Sequence, residues 1–251
     1  MQREYQFNYS EIRPSVFDSD GRSRKAETIV RVCRDFLQTE DLSSLTLLDV
    51  GSSSGIIDNY LADHFGEVFG IDIDEPAMAF ARERFDKPNL HFAVGDAMQL
   101  ERGDNSVDVV VCSHVYEHVP DAAVLFAEIF RVLRPGGFCY FSGNNRVMLM
   151  EPHYRLPLLS LLPRPLAHLY MRAAGKGRYY HEKHLSYTGL RRLCAGFELH
   201  DYSPRVISEP EKFGVEYMLR PGSLKWRLAS TVARYCKWAT PHIWLLRKPA
   251  A

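Results

Sequence analysis

"LLDVGSSSGIIDNYLA" (Leu47–Ala62) passes from an apolar run, through one acid and a glycine-serine loop, into a helical pattern. The run "TLLDV" (46–50) is short and rich in branched side chains, which reads as a strand buried on both faces. Ile56, Ile57, Tyr60, Leu61 and Phe65 then recur at helical spacing. Between the two, Gly51 permits a positive φ or a tight bend, and Gly55 lets the backbone lie close to a ligand at the helix start. The first N–H groups of that helix lack helical partners and carry the positive end of its dipole, which suits a phosphate or a carboxylate equally.

The same alternation continues outward. Further apolar runs stand at "EVFGI" (67–71), "LHFAV" (90–94), "VDVVVC" (107–112) and "FCYFS" (138–142). Leu125, Phe126, Ile129, Phe130 and Leu133 repeat with helical period before "RPGG", which is expected to end that helix. Ile29, Val32, Cys33, Phe36 and Leu37 predict a helix ahead of the first strand. A late strand pair is expected near 197–202 and 242–247. Together these predict an α/β fold: a Rossmann-like, doubly wound, mostly parallel seven-stranded sheet with an inserted helical cap. The expected divisions are an N-terminal helical cover (1–44), the α/β core (45–145), the cap (146–185) and a C-terminal completion of the sheet with a basic amphipathic helix (186–251). Prolines 152, 157, 163 and 165 should break the cap into short helices and turns.

Composition excludes some classes. The chain has 251 residues, and 31 Lys and Arg balance 31 Asp and Glu, so no overall charge points to nucleic acid. Cysteines at 33, 112, 139, 194 and 236 form no C-x-x-C pair, and scattered single thiols suit core positions in a reducing cytoplasm. The opening "MQREYQFNYSEIRP" lacks the apolar core of a signal peptide, and no stretch reaches the roughly 20 apolar residues of a membrane span.

Two nucleotide readings meet at the loop. A dinucleotide turn G-x-G-x-x-G would need glycines at 51, 53 and 56, and the chain supplies one. A G-x-G-x-G turn needs 51, 53 and 55, and two match. With Asp49 ahead of it, this loop resembles the first motif of the class I S-adenosylmethionine-dependent methyltransferases; Ser53 departs from it by the smallest step. "GIDIDEPAM" (70–78) follows, where Asp72 stands about 20 residues beyond the loop and can accept both ribose hydroxyls. NAD-binding proteins use the same device, so Asp72 alone does not discriminate. Asp74 is expected to cap the next helix, with Pro76 in its first turn. "AVGDAMQL" (93–100), "NSVDVVVCSHVYEHVPD" (105–121) and "EIFRVLRPGGFCYFS" (128–142) extend the resemblance.

The resemblance implies that the loop passes beneath the methionine part of S-adenosylmethionine. It implies that Asp96 accepts the adenine amino group and that the next backbone N–H meets the ring. Asp49, Gly51, Ser52, Ser53, Gly55, Asp72, Ile73, Asp96, Ala97, Met98 and Ser113 are thus the expected cofactor-binding residues. Polar residues after the fourth strand, His114 and His118 among them, would face the methyl group. Methyl transfer needs mainly proximity and orientation, with a general base where the acceptor is a hydroxyl. Candidate catalytic residues are His118, His153, Tyr154 and His181; Tyr180, His184 and Glu117 stand near them in sequence or type. His181, Glu182 and His184 lack H-E-x-x-H spacing and an evident third ligand, so no metal is expected. The rival functions are an NAD-dependent oxidoreductase and a non-catalytic binding protein on the same scaffold.

Charge is uneven along the chain. Residues 146–180 carry six cations against Glu151, and residues 217–251 carry seven, Lys237 included, with no acid. "SLKWRLASTVARYCKWA" sets Leu224, Leu228, Val232 and Tyr235 at helical spacing among cations, as in helices that lie on membranes. A helix packed on the sheet with a solvated basic face would carry the same pattern. The expected acceptor is a small, lipid-linked or glycan-linked molecule, met in the cytoplasm or at the inner face of an anionic membrane.

Overall fold

The computed structural model describes residues 6–236, 238 and 241–250. Helix α1 (Tyr9–Ile12), a 3-10 turn (Pro14–Phe17) and α2 (Ser19–Leu37) precede β1 (Leu42–Val50). The core then runs α3 (Ile56–Leu61), β2 (Phe65–Asp72), α4 (Glu75–Arg84), β3 (Leu90–Val94), β4 (Val107–Ser113), α5 (Ala122–Val132) and β5 (Leu133–Gly143). The cap holds a small hairpin, β6 (Met150–Glu151) and β7 (Leu156–Pro157), a 3-10 turn (Leu159–Leu161) and α6 (Arg164–Ala173). The chain closes with α7 (Tyr187–Leu193), β8 (Glu198–Asp201), α8 (Ser203–Ser208), α9 (Leu224–Tyr235) and β9 (His242–Arg247).

Seven strands lie in the order β3-β2-β1-β4-β5-β9-β8. All neighbours are parallel except β9, which runs antiparallel to both β5 and β8. Strand order reverses between β1 and β4, so ligands are expected beyond the carboxyl ends of these strands. Burial on both faces is visible in β4: Val109 and Val111 enter one core with α2 and α3, while Val110 and Cys112 enter the other with α5 and Trp244. That is why the central runs lack alternation, whereas the edge strand β3, with His91, Ala93 and Val94 exposed, is not buried in this way. Cys33, Cys112, Cys139 and Cys194 are buried free thiols in these cores.

Three boundaries differ from the sequence pattern. Phe65 opens β2 opposite Leu42 instead of continuing α3, because the chain turns at 62–64. Helix α5 stops at Val132, and "RPGG" lies within β5, with Gly136 at φ +80°. Helix α2 begins at Ser19, where the Asp18 side chain accepts from Gly21 N–H at 3.3 Å; its first turns are polar, so apolar periodicity misses them.

Helix α9 turns its apolar stripe outward. Leu224, Leu228 and Tyr235 are 73%, 59% and 72% exposed, whereas Ala233 is buried. Trp226 anchors the helix by donating from Nε1 to the Ile207 carbonyl at 3.0 Å. Leu166 and Leu169 on α6 are exposed as well. Lys237, part of the basic run, lies outside the described residues. Among the described residues no helix is long and apolar enough to cross a membrane.

Candidate active site

The loop after β1 is fixed by the neighbouring strand. Gly51 and Ser52 N–H both donate to the Ile71 carbonyl, at 2.8 and 2.9 Å. Gly51, Ser53 and Gly55 all have positive φ, +83°, +54° and +70°. A Cβ at Gly51 would stand 2.5 Å from Val115, and one at Gly55 2.7 Å from Ala81 and the Phe92 ring, so these two positions require glycine. Ser53 bears the same turn at the strain of an L-residue. Ser52 is buried, its hydroxyl 3.7 Å from Met78 Sδ, so its side chain packs into α4.

Asp72 at the end of β2 is oriented by two backbone donors: Ser53 N–H reaches Oδ2 at 2.8 Å and Asp74 N–H reaches Oδ1 at 2.9 Å. Burial raises its pKa, and those same hydrogen bonds oppose the rise. Ile73 lies in the bend between them. After β3, Asp96 accepts from Met98 N–H at 2.9 Å, and Ala97 and Met98 pack partly against the core. Ser113 ends β4 opposite Ser142. Asp49 is buried behind the loop; burial pushes its carboxyl up to about 7, with Arg22 pulling it down and Asp72 adding to the rise. Asp58, in the first turn of α3, is raised too, by burial and by Asp49.

The sequence reading missed Arg22. From α2 it reaches over the loop, Nη2 lying 3.4 Å from Ser53 Oγ, into the field of Asp49, Asp58 and Asp72. The leading segment also takes part. Ser10 N–H and Oγ donate to Asp74 at 2.5 and 3.0 Å, and Asp74 also caps α4 through Ala77 N–H at 3.1 Å. Ser54 Oγ donates to the Val16 carbonyl at 2.5 Å. These bonds seat the N-terminal cover on the loop. The signal was present as short polar residues in "NYSEIRPS" (8–15), but their partners are distant in sequence.

His118 follows β4, and its ring lies 5.3 Å from Tyr9 and 5.0 Å, edge to face, from His153. It therefore stands where cover, core and cap meet. Burial drives its pKa down to about 4 despite Glu117. Its two ring neighbours, Tyr9 and His153, line a cavity of about 710 Å³ together with Arg13 of the cover and Tyr154, His181 and Glu182 of the cap; His118 itself lies behind them. Tyr154 donates to Glu182 Oε1 at 3.3 Å, and the Arg13 guanidinium lies 5.1 Å over its ring. Glu151 and His184, which sequence spacing did not bring together, meet His153: Glu151 Oε1 is 2.7 Å from His153 Nδ1 and 3.5 Å from His184 Nε2. Burial would raise the Glu151 carboxyl, but these imidazoles hold it down to about 2.

Residues 48–141 match a family profile described as a methyltransferase domain. The ubiquinone biosynthesis O-methyltransferase of Hydrogenovibrio crunogenus is 27% identical over 192 residues, 74% of this chain and 76% of that protein. An S-adenosylmethionine-dependent methyltransferase of Mesorhizobium loti superposes with a TM-score of 0.53 at 19% identity, over 82% of this chain and 91% of that one. Haemonchus contortus phosphoethanolamine N-methyltransferase 2, solved with S-adenosylhomocysteine, gives a TM-score of 0.50 at 19% identity, over 83% of this chain and 49% of that one.

Proposed function

The chain belongs to the class I S-adenosylmethionine-dependent methyltransferases, and we propose that it methylates a hydroxyl of a lipid-linked small molecule. The cofactor supplies an activated methyl electrophile. The residues present fit it. Asp72 offers a pre-oriented carboxylate for the ribose hydroxyls, and Asp96 stands at the end of β3 for the adenine. Arg22 and the positive-φ loop are matched to the methionine carboxylate, an anion that the helix end also favours. The cover, tied to Asp74 through Ser10, is the segment that would shield the bound cofactor from water.

The observation that carries the acceptor reading is the cavity between cover and cap, two of whose lining residues, Tyr9 and His153, pack against His118. Its Tyr9, Tyr154 and His181 suit an aromatic or otherwise flat acceptor, and Arg13 suits a negative substituent. His118, which follows β4 and packs against His153, is the residue we assign to take the hydroxyl proton. The relative named for ubiquinone biosynthesis O-methylates, which supports oxygen as the target atom. A lipid-linked acceptor, rather than a glycan-linked one, is supported by the exposed leucines of α6 and α9 among their cations. Such a face suits peripheral attachment to an anionic bilayer from the cytoplasmic side.

A labelled-methyl screen against phenolic lipids, glycans and water-soluble amines tests this. Transfer to a phenolic lipid, abolished in His118→Ala while S-adenosylhomocysteine still binds, is expected. Transfer confined to amines or sugars overturns the acceptor reading.

A further inference from the structure

Between the cap and the end of β4 the fold buries carboxylates without cationic side chains to match. Glu117, Glu151 and Glu182 are at most 3% exposed. Among the described residues no lysine or arginine forms an ion pair with any of them; histidines face Glu117 and Glu151 instead. His184 is the telling group. Its side chain is 1% exposed, Nε2 has only the long 3.5 Å contact with Glu151 Oε1, and Nδ1 has no hydrogen-bond partner. Its ring is enclosed by Tyr116, Tyr180 and His153, with centroids 6.5, 6.5 and 6.2 Å away. A buried polar group that lacks a good hydrogen bond costs about 1–3 kcal/mol, so an under-satisfied imidazole facing a carboxylate across 3.5 Å points to a missing ligand between them.

We propose that Glu151, His153 and His184 bind one divalent transition-metal ion, with Zn²⁺ the best match to the donors. Their ligand atoms lie within 4.8 Å of one another. Donors around a tetrahedral Zn²⁺ at about 2.0–2.1 Å stand roughly 3.4 Å apart. The separations from Glu151 Oε1, 2.7 Å to His153 and 3.5 Å to His184, bracket that value. Two imidazoles and a carboxylate leave a fourth position open and disfavour Mg²⁺ or Ca²⁺, which prefer oxygen throughout. The carboxylate is backed by an outer donor, Tyr154 N–H to Glu151 Oε2 at 2.8 Å. The scaffold is braced too: Glu151 pairs with Leu156 across the hairpin, and Arg146 N–H donates to the Leu185 carbonyl at 2.7 Å.

A second grouping, Glu117, His118 and His153, shares His153. Glu117 in that set is also buried without a hydrogen bond, but the Glu151 set is the better assignment because its carboxylate is backed by an outer donor and it joins two imidazoles to that carboxylate. No third donor is adjacent in sequence to His181 and His184, so the pattern of residues 181–184 conceals this site; the hairpin brings the missing donors from 151 and 153.

Titration of the metal-free chain with Zn²⁺, and with Co²⁺ as a spectroscopic probe, tests the site. One equivalent should bind at micromolar affinity or tighter and give the intense visible bands of four-coordinate Co²⁺. His184→Ala and Glu151→Gln should each weaken binding at least tenfold, whereas His181→Ala should bind as the parent does. Absence of binding to the parent chain, or loss in His118→Ala with retention in His184→Ala, overturns the assignment. Should His184→Ala not fold, X-ray absorption at the zinc edge of the parent chain decides: two imidazole ligands support the site, and none overturns it. Neither cofactor nor acceptor enters these measurements, so their failure leaves the methyl-transfer reading standing.

Discussion

Ser10 and Asp74, 64 residues apart, are joined twice: the serine N–H and hydroxyl donate to the two oxygens of one buried carboxylate. The same carboxylate starts α4. The N-terminal cover and the strand-end crevice are thus one hydrogen-bonded unit, seated through Asp74 and through the bond from Ser54 to the Val16 carbonyl. Asp74→Ala should cost about 1–2 kcal/mol for the lost cap and more for the lost tie. Ser10→Ala, which keeps the backbone donor, should cost about 1 kcal/mol. Denaturant midpoints check the order; equal losses would mean that the cover is not seated through Asp74.

Asp72→Ala should weaken S-adenosylhomocysteine by the 1.5–3 kcal/mol typical of hydrogen bonds to a charged group, roughly 10- to 100-fold. Arg22→Met should weaken it comparably if, as proposed, the guanidinium that reaches Ser53 over the loop meets the amino-acid carboxylate. Calorimetric titration reads both. Unchanged affinity in Asp72→Ala, or tighter binding of NADH than of S-adenosylhomocysteine, would contradict the cofactor placement.

The loop makes opposite predictions for two neighbours. Ser53→Gly removes the strain of an L-residue at φ +54° and should leave stability unchanged or raise it by about 1 kcal/mol, with cofactor affinity within a few-fold. Gly55→Ala forces a methyl to 2.7 Å from Ala81 and Phe92 at φ +70° and should cost about 2–4 kcal/mol. Thermal melts compare them. Tolerance of Gly55→Ala would refute the close packing assigned to that turn.

Stability should fall in mild acid partly through one residue remote from the site. His242 stacks on Trp244 with centroids 4.5 Å apart, and burial lowers its pKa to about 4, with Asp201 opposing. In the unfolded chain it titrates near its ordinary value of about 6.5. Unfolding therefore takes up a proton below that pH, and the native state loses stability as pH drops toward 4. Between pH 7.5 and 5 this group accounts for about 2 kcal/mol. His242→Gln should lose that much less than the parent chain over the same interval, by urea denaturation at the two values. A parallel decline in both would clear His242 of the effect.

The outward stripe of α9 gives a prediction about surfaces. Leu228→Glu, at a position 59% exposed, should leave the melting temperature and S-adenosylhomocysteine affinity unaltered. It should reduce flotation with anionic vesicles several-fold. Recovery of the parent chain in the soluble fraction with and without vesicles would rule out bilayer attachment.

The local sequence determined what short-range chemistry can dictate. Unalternating runs such as "VDVVVC" read as strands buried on both faces, and Gly51 and Gly55 marked a tight turn with a close backbone approach ahead of a helix. Asp74 as a cap and the closing strand pair were readable for the same reason: each depends on a few neighbouring residues. What depends on chain paths did not appear in any window. Arg22 meets Ser53 from a separate helix, Ser10 meets Asp74 across the crevice, and His184 meets Glu151 and His153 through the fold of the cap. The periodicity of α9 marked an amphipathic helix but carried no sign of which face would be covered. Periodicity fixes which residues share a face; what packs against that face is decided when distant segments compete for it in three dimensions.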